Sequence, residues 1–276
     1  MIEALKTYEF LQNAFIAGIL ASIICGIMGV IIVEKKMIMM TGGIAHTAYG
    51  GVGLGYLLGF EPIIGAFAFA MLSALGIGHI KRKGGIQADI LIGLFWSFGM
   101  ALGILFLAKM PGYPPDMNSY LFGNILAVTH GDLLQMAILT AVVIITILAL
   151  FTYVKGYLFD EEFIWILGVK TEVLEYILLL LIAITVVALI RVAGIILVIS
   201  LLTAPAAIAS FLSNKMKTRI FIAIGFGLFF SIAGLIISYY LNIPTGASIV
   251  LLAVSTYFVF YVFHNMREKA IQKQNV

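Results

Sequence analysis

Nine apolar segments recur along this chain, each close to the roughly 20 residues that an α-helix needs to cross a bilayer. They continue almost to the C-terminus, so the first is predicted to be a span and not a cleavable leader. Because 63% of the residues are hydrophobic and only 11% are charged, the chain lacks the polar surface of a soluble domain. The sequence therefore predicts an all-α polytopic membrane protein with about eight to ten spans. The segments are residues 10–33, 43–60, 62–79, 89–108, 132–154, 174–190, 193–212, 219–241 and 246–264.

The basic residues fall mainly on alternate loops. If the N-terminus lies outside, 13 of the 16 Lys and Arg residues lie on the inner side, and the reverse orientation would invert that ratio. The positive-inside rule therefore predicts an odd number of crossings, an outer N-terminus and a cytoplasmic C-terminus. A single transmembrane domain over residues 1–264 is expected, followed by a frayed cytoplasmic tail at 265–276.

The signatures of several enzyme classes are absent from the sequence. It has no Gly-x-x-x-x-Gly-Lys-Ser/Thr phosphate loop, no His-Glu-x-x-His pair and no nucleophile elbow. The single cysteine, Cys25, excludes an internal disulfide and a cysteine cluster. The net charge of +3 reflects membrane orientation, so no nucleic-acid partner is expected. We predict a protein that is not an enzyme and holds no permanently bound cofactor.

One histidine lies inside a glycine-rich, charge-free segment, residues 41–56. Ionisable groups within spans are costly and by default indicate a substrate or ion path. His46 is therefore the first candidate for transient binding of a transition metal, because imidazole is a common ligand of zinc, manganese and iron. The alternative is a histidine that is hydrogen-bonded to a neighbouring helix. Asp89, at the start of the fourth span, is a weaker metal candidate, since it also caps a helix next to the basic cluster at 81–83.

A short inner segment, residues 159–168, predicts a helix of about two turns. Asp160 is a natural N-cap, acidic residues follow it, and Gly168 is a natural stop. Such a short helix needs a cover, which is either the lipid headgroup layer, with Trp165 as an anchor, or a partner protein. The candidate docking residues are Asp160, Glu161, Glu162, Phe163, Ile164, Trp165, Ile166, Leu167 and Gly168.

Three further features concern local structure. The outer loop at 110–116 is rich in proline, and the apolar piece at 119–126 is too short to span, so it is predicted to be a short helix or re-entrant element. Thr129 is predicted to cap the next helix, with Asp132 in its first turn. Pro205 is expected to mark a break or re-entrant point in the segment 193–212.

Over nearly its whole length the chain resembles the membrane permease subunits of the ABC transporters for zinc, manganese and iron. The most specific match is the run 194–209, which is similar to the family's Val-Gly-x-Leu-Leu-Val-x-Ala-Leu-Leu-x-x-Pro-Ala-Ala-x-Ala. The other matching motifs are Ala45-His46-Thr47 with Gly51, Asp89 with Ile92-Gly93, Leu121–Leu126, and Phe159-Asp160 with Gly168, where Ile164 replaces the usual Ala.

The resemblance implies a permease homodimer in a prokaryotic cell (inner) membrane. It also implies two cytoplasmic ATPase subunits that use ATP and grip the segment 160–168, and an extracellular solute-binding protein that delivers the metal. The chain departs from the family at Gly42, where an Asp one helical turn before the histidine is usual, and at Gly50, where Pro is usual. Loss of that carboxylate favours a nitrogen-preferring ion such as zinc over manganese.

The predicted function is therefore that of the permease subunit of an ATP-driven importer for a divalent transition metal. A permease of the vitamin B12 and siderophore class, which carries a chelate, is the nearest alternative. An ion-coupled secondary transporter is another, although it predicts paired carboxylates inside the spans.

Overall fold

A computed structural model describes residues 7–84, 87–112, 123 and 125–274, and within these ranges the secondary structure is helical. Two elements are short: a 3₁₀ turn, Ile125–Ala127, and the helix Glu161–Ile166 of about two turns. The α-helices are α1 Glu9–Glu34, α2 Ile38–Leu58, α3 Pro62–Lys83, α4 Ala88–Ala108, α5 His130–Phe159, α6 Glu161–Ile166, α7 Thr171–Leu212, α8 Met216–Leu241 and α9 Thr245–Gln274.

The long helix α7 consists of two spans that meet at Gly194. That residue has φ 70° and ψ 161°, which is not helical, while residues 171–190 and 192–212 are each long and apolar enough to span. The positive φ suits glycine because it has no Cβ. Pro205, in contrast, lies within continuous helix, so the predicted break at Pro205 is wrong and the break lies at Gly194.

Ion pairs bring several helix ends together at one end of the bundle. Lys35, after α1, lies 2.8 Å from Glu161 of α6. Arg82, at the end of α3, pairs through Nε with Glu175 of α7 at 2.6 Å. We call this the basic end. The start of α8 lies here too, because Arg219 pairs with Glu34.

The helix α2 completes the set of crossings. Eight helical segments in the described ranges are long and apolar enough to span, and α2 is not among them. Nevertheless α2 must cross, because Lys35 before it and Arg82 at the end of α3 both approach Glu161. Its far half packs on the start of α3, where a Cβ at Gly51 would meet the backbone of Gly65. Together with α2, nine crossings are present in the described chain, as the apolar pattern predicts.

Local predictions at one helix start and one helix end can be compared with the structure. Thr129 and Asp132 form a complete capping box at the start of α5, which confirms the predicted cap. Residues 265–274 continue α9 as helix, so the predicted fray of this stretch is wrong. The predicted outer element at 119–126 lies largely outside the described residues, as does most of the proline-rich loop.

Candidate functional site

The helix α2 is held against α4 by close backbone contacts. A Cβ added at Gly50 would lie 2.7 Å from the carbonyl oxygen of Gly99, and one at Gly53 would lie 2.7 Å from that of Gly103. Small residues allow such approach, and dispersion over the shared surface then stabilises the pair. These contacts fix the position of α2 relative to α4.

A hydrogen bond next to the candidate histidine fixes the same pair of helices. The hydroxyl of Thr47 contacts the carbonyl oxygen of Gly43 in its own helix at 2.7 Å and that of Phe95 in α4 at 3.0 Å. Thr47 is buried, so this hydroxyl finds its partners within the protein. The residue directly after His46 is therefore hydrogen-bonded to α4.

His46 is half-buried in the middle of α2, and its imidazole stacks on the indole of Trp96 from α4. The ring centroids are 3.9 Å apart and the planes differ by 11°. The Nδ1 atom is buried and has no hydrogen-bond partner among the described residues. Buried polar atoms almost always have a partner, so an unpartnered nitrogen inside a span is the feature a transient ligand would satisfy. The alternative of a histidine hydrogen-bonded through Nδ1 to a neighbouring helix has no support here.

Gly42, one turn before His46, leaves room for the same indole. A Cβ at Gly42 would lie 3.5 Å from Cζ3 of Trp96 and 3.8 Å from Cδ1 of Ile199 in α7, which is ordinary van der Waals contact. The space that a side chain at position 42 would enter is thus bordered by Trp96. Sequence reasoning missed Trp96, because an aromatic residue in an apolar span has no local signal that distinguishes it from core.

The structure does not join the two metal candidates. Asp89 is exposed in the first turn of α4, and no ion pair or hydrogen bond connects it to His46 in the described residues. Within those residues, no group of three or more His, Cys, Asp and Glu side chains could hold a metal ion. The described site consists of one imidazole, one indole and the helices that hold them, which suits weak binding.

The predicted helix at the basic end is present as α6. The carboxylate of Asp160 accepts a hydrogen bond from the backbone N–H of Phe163 at 2.9 Å, as an N-cap does. Gly168 follows the helix with φ 84°. Ile164 is buried because Gly156 in α5 leaves room for its side chain, so α6 is anchored on the bundle by one residue.

The remaining apolar side chains of α6, and that of Leu167 directly after it, are exposed. Their exposed fractions range from 55% to 73%, and the residues are Phe163, Trp165, Ile166 and Leu167. An exposed apolar surface of this kind fits contact with either a protein partner or the membrane. It lies at the basic end, beside the ion pairs of Glu161.

The described residues include eight helical segments that are long and apolar enough to span a membrane, so the chain is a multi-pass membrane protein. The model of the ABC 3 transport family matches residues 7–264. The chain therefore belongs to the ABC 3 transport family.

Three relatives illustrate the similarity. The chain is 40% identical to an uncharacterised membrane protein of Synechocystis, with 95% of this chain and 93% of the relative covered. It is 37% identical to a manganese transport system membrane protein of Listeria monocytogenes, with the same coverage of 95% and 93%. Among solved structures, PsaBC from Streptococcus pneumoniae in complex with Fab matches with a TM-score of 0.85 and 34% identity, over 94% of each chain.

Proposed function

We propose that this chain is the membrane-spanning subunit of an ATP-driven importer that moves a divalent transition metal ion. The observation that carries the proposal is the buried Nδ1 of His46, which has no partner and lies midway along a spanning helix. Family membership supplies the class of transporter, and the imidazole supplies a ligand that zinc, manganese and iron accept.

The His46 site is suited to weak, transient binding of a transported metal ion and not to tight, permanent binding. A conducted ion must bind well enough to enter and weakly enough to leave, and a single imidazole with water and backbone carbonyls meets that requirement. Because Gly42 provides no carboxylate beside His46, the donor chemistry favours zinc over manganese. The relative in Listeria monocytogenes is named for manganese, so the choice of metal is the quantity that the transport experiment measures.

The helix α6 is proposed to dock into a separate ATPase subunit. Its exposed apolar residues would be buried against that subunit. Its ion pairs would transmit a displacement of α6 to the helices of the bundle. Glu161 contacts Lys35 at 2.8 Å and Arg82 at 3.9 Å, which are at the ends of α1 and α3. Because α3 packs on α2 where Gly51 faces Gly65, a displacement of α6 reaches the helix that carries His46.

The remaining parts of the assembly follow the same proposal. The basic end faces the cytoplasm, as the positive-inside rule requires, and the N-terminus lies outside. A second copy of the chain completes the pathway, and an extracellular solute-binding protein delivers the ion to the opposite end. These partners rest on the resemblance to ABC permeases for metals.

The test is uptake of zinc, manganese and iron into vesicles that hold this permease with its ATPase subunit and binding protein. His46→Ala is expected to abolish ATP-dependent uptake of the transported metal while the complex still assembles. The matched control is His79→Ala, because His79 is exposed near the basic end of α3 and should leave uptake unchanged.

Two results would contradict the proposal. Full uptake by His46→Ala would remove the role of His46 in the pathway. Failure of the native complex to move any of the three ions, together with uptake of a metal chelate, would instead identify a carrier of the vitamin B12 and siderophore class.

A further inference from the structure

A cleft of about 480 Å³ opens at the basic end between the last turns of α5 and the start of α8. Its walls carry three lysines and two phenylalanines, and the lining residues are Phe151, Lys155, Phe159, Asn214, Lys215, Met216, Lys217 and Thr218. An adjoining smaller void is bordered by Glu34 and Arg219, which pair with each other. The end of α1 thus lies beside the cleft.

The lysines of the cleft differ from other cations at this end of the bundle. Lys35, Lys81 and Arg82 are each paired with a glutamate. In contrast, the ammonium groups of Lys155, Lys215 and Lys217 have no carboxylate within 4.0 Å in the described part of the chain, although all three line one cavity. Three like charges around a cleft repel one another, and an anion between them relieves that repulsion.

The start of α8 adds backbone donors to the same cleft. The helix begins after Lys215 without a side-chain cap, and Met216, Lys217 and Thr218 of its first turn line the cavity. The first N–H groups of a helix have no acceptor within the helix, and the helix dipole favours negative charge at that end. These donors reinforce the preference of the lysines for an anion.

The walls of the cleft also include aromatic side chains. Phe151 lies two turns before Phe159 along α5, and Nζ of Lys217 is 5.4 Å from the centroid of its ring. Beyond the cleft, Leu148 of α5 and Phe221 of α8 are exposed by 69% and 73%. A cluster of lysines next to exposed apolar side chains is the arrangement that suits a phospholipid. Its phosphate would lie at the lysines and an acyl chain would lie along the apolar wall of Leu148 and Phe221.

We propose that this cleft is a binding site for an anionic phospholipid of the membrane leaflet at the basic end. Lysine clusters next to spanning helices recognise anionic headgroups. A free phosphate ion would satisfy the lysines and the helix start, but it would not use the apolar wall. The lipid is therefore the occupant that accounts for both halves of the cleft.

Native mass spectrometry of the full-length permease in detergent tests the site directly. The protein is titrated with phosphatidylglycerol and with phosphatidylcholine of the same acyl chains. We expect one phosphatidylglycerol to bind at least tenfold more tightly than phosphatidylcholine. The triple variant Lys155→Gln, Lys215→Gln and Lys217→Gln should lose this preference.

A control triple keeps the change in net charge the same. Lys83, Lys170 and Lys269 are exposed lysines at the same end but outside the cleft, so their replacement by Gln should leave the lipid preference intact. The variant Lys155→Gln alone should weaken phosphatidylglycerol binding partially, which keeps the test valid if the triple variant does not fold.

Three outcomes would overturn the proposal. Equal binding of phosphatidylglycerol by the native protein and the cleft variant would place the lipid elsewhere. Displacement of the lipid by inorganic phosphate at a similar concentration would show a free-anion site. Loss of ATPase subunit binding in the cleft variant, with lipid binding unchanged, would make the cleft part of the subunit interface.

Discussion

The indole of Trp96 lies parallel to the imidazole of His46, with ring centroids 3.9 Å apart. The same indole borders the space at Gly42, 3.5 Å from the position of an added Cβ. One aromatic side chain therefore contacts the candidate ligand His46 and also borders position 42, one helical turn before it. A carboxylate at position 42 would therefore lie beside the apolar ring of Trp96.

Introducing a carboxylate at position 42 should change the metal preference when the indole of Trp96 is also removed. We expect Gly42→Asp with Trp96→Ser to raise uptake of manganese relative to zinc by about tenfold, because carboxylate oxygen suits manganese whereas imidazole suits zinc. Competitive uptake of the two ions into vesicles measures the ratio. The control is Gly42→Asn with Trp96→Ser, which has nearly the same shape without the charge. An equal shift in the control would show that space, and not the carboxylate, sets the preference.

The close approach of α2 and α4 predicts a sharp difference between two glycine substitutions. A Cβ at Gly99 would lie 2.9 Å from Cγ2 of Thr47, so Gly99→Ala should destabilise the protein by about 1–3 kcal/mol through overpacking. Gly225 in α8 has no atom within 4 Å of an added Cβ, and Gly225→Ala should be neutral or stabilising by up to about 1 kcal/mol. Thermal unfolding in detergent compares the two variants. A similar melting temperature for both would contradict the tight α2–α4 contact.

Much of this fold could be predicted from sequence because its signals are local. The spans follow from apolar length, and the starts of α5 and α6 follow from Thr129 and Asp160, which cap within their own chain segments. The division of α7 near Gly194 could be predicted to within a few residues, because Arg191 separates the apolar segments 174–190 and 193–212, whereas Pro205 provided a misleading local signal. The contact between His46 and Trp96 joins residues on separate helices, and no periodicity in either helix encodes it.

The exposed surface of α6 predicts which residues hold the ATPase subunit. Trp165→Glu is expected to abolish co-purification of that subunit, because it places a charge in the middle of an apolar contact, where desolvation is costly. Trp165→Phe should retain binding, since it keeps the apolar surface. Affinity purification of the permease followed by quantification of the ATPase subunit gives the answer. Undiminished recovery with Trp165→Glu would favour the alternative, in which α6 lies in the lipid headgroups.

Glu161 links α6 to α1 and α3, so its loss should separate ATP hydrolysis from transport. The ion pairs of Glu161 are partly exposed, with a side-chain exposure of 43%, and such pairs contribute only about 0–1 kcal/mol to stability. Glu161→Gln should therefore fold and assemble normally. Metal uptake per ATP hydrolysed is expected to fall by about 2-fold to 30-fold, which corresponds to the roughly 0.5–2 kcal/mol typical of residues in a coupling network.

The neighbouring Glu162 provides the matched control for this coupling. It is exposed and, in the described part of the chain, forms no ion pair, so Glu162→Gln changes the charge of α6 equally without breaking the link to Lys35 and Arg82. Simultaneous measurement of metal uptake and phosphate release in the same vesicles gives the ratio for both variants. The link through Glu161 is supported if only Glu161→Gln lowers the ratio. An equal fall in both variants would assign the effect to the charge of α6, and an unchanged ratio in both would place the coupling in the apolar contacts alone.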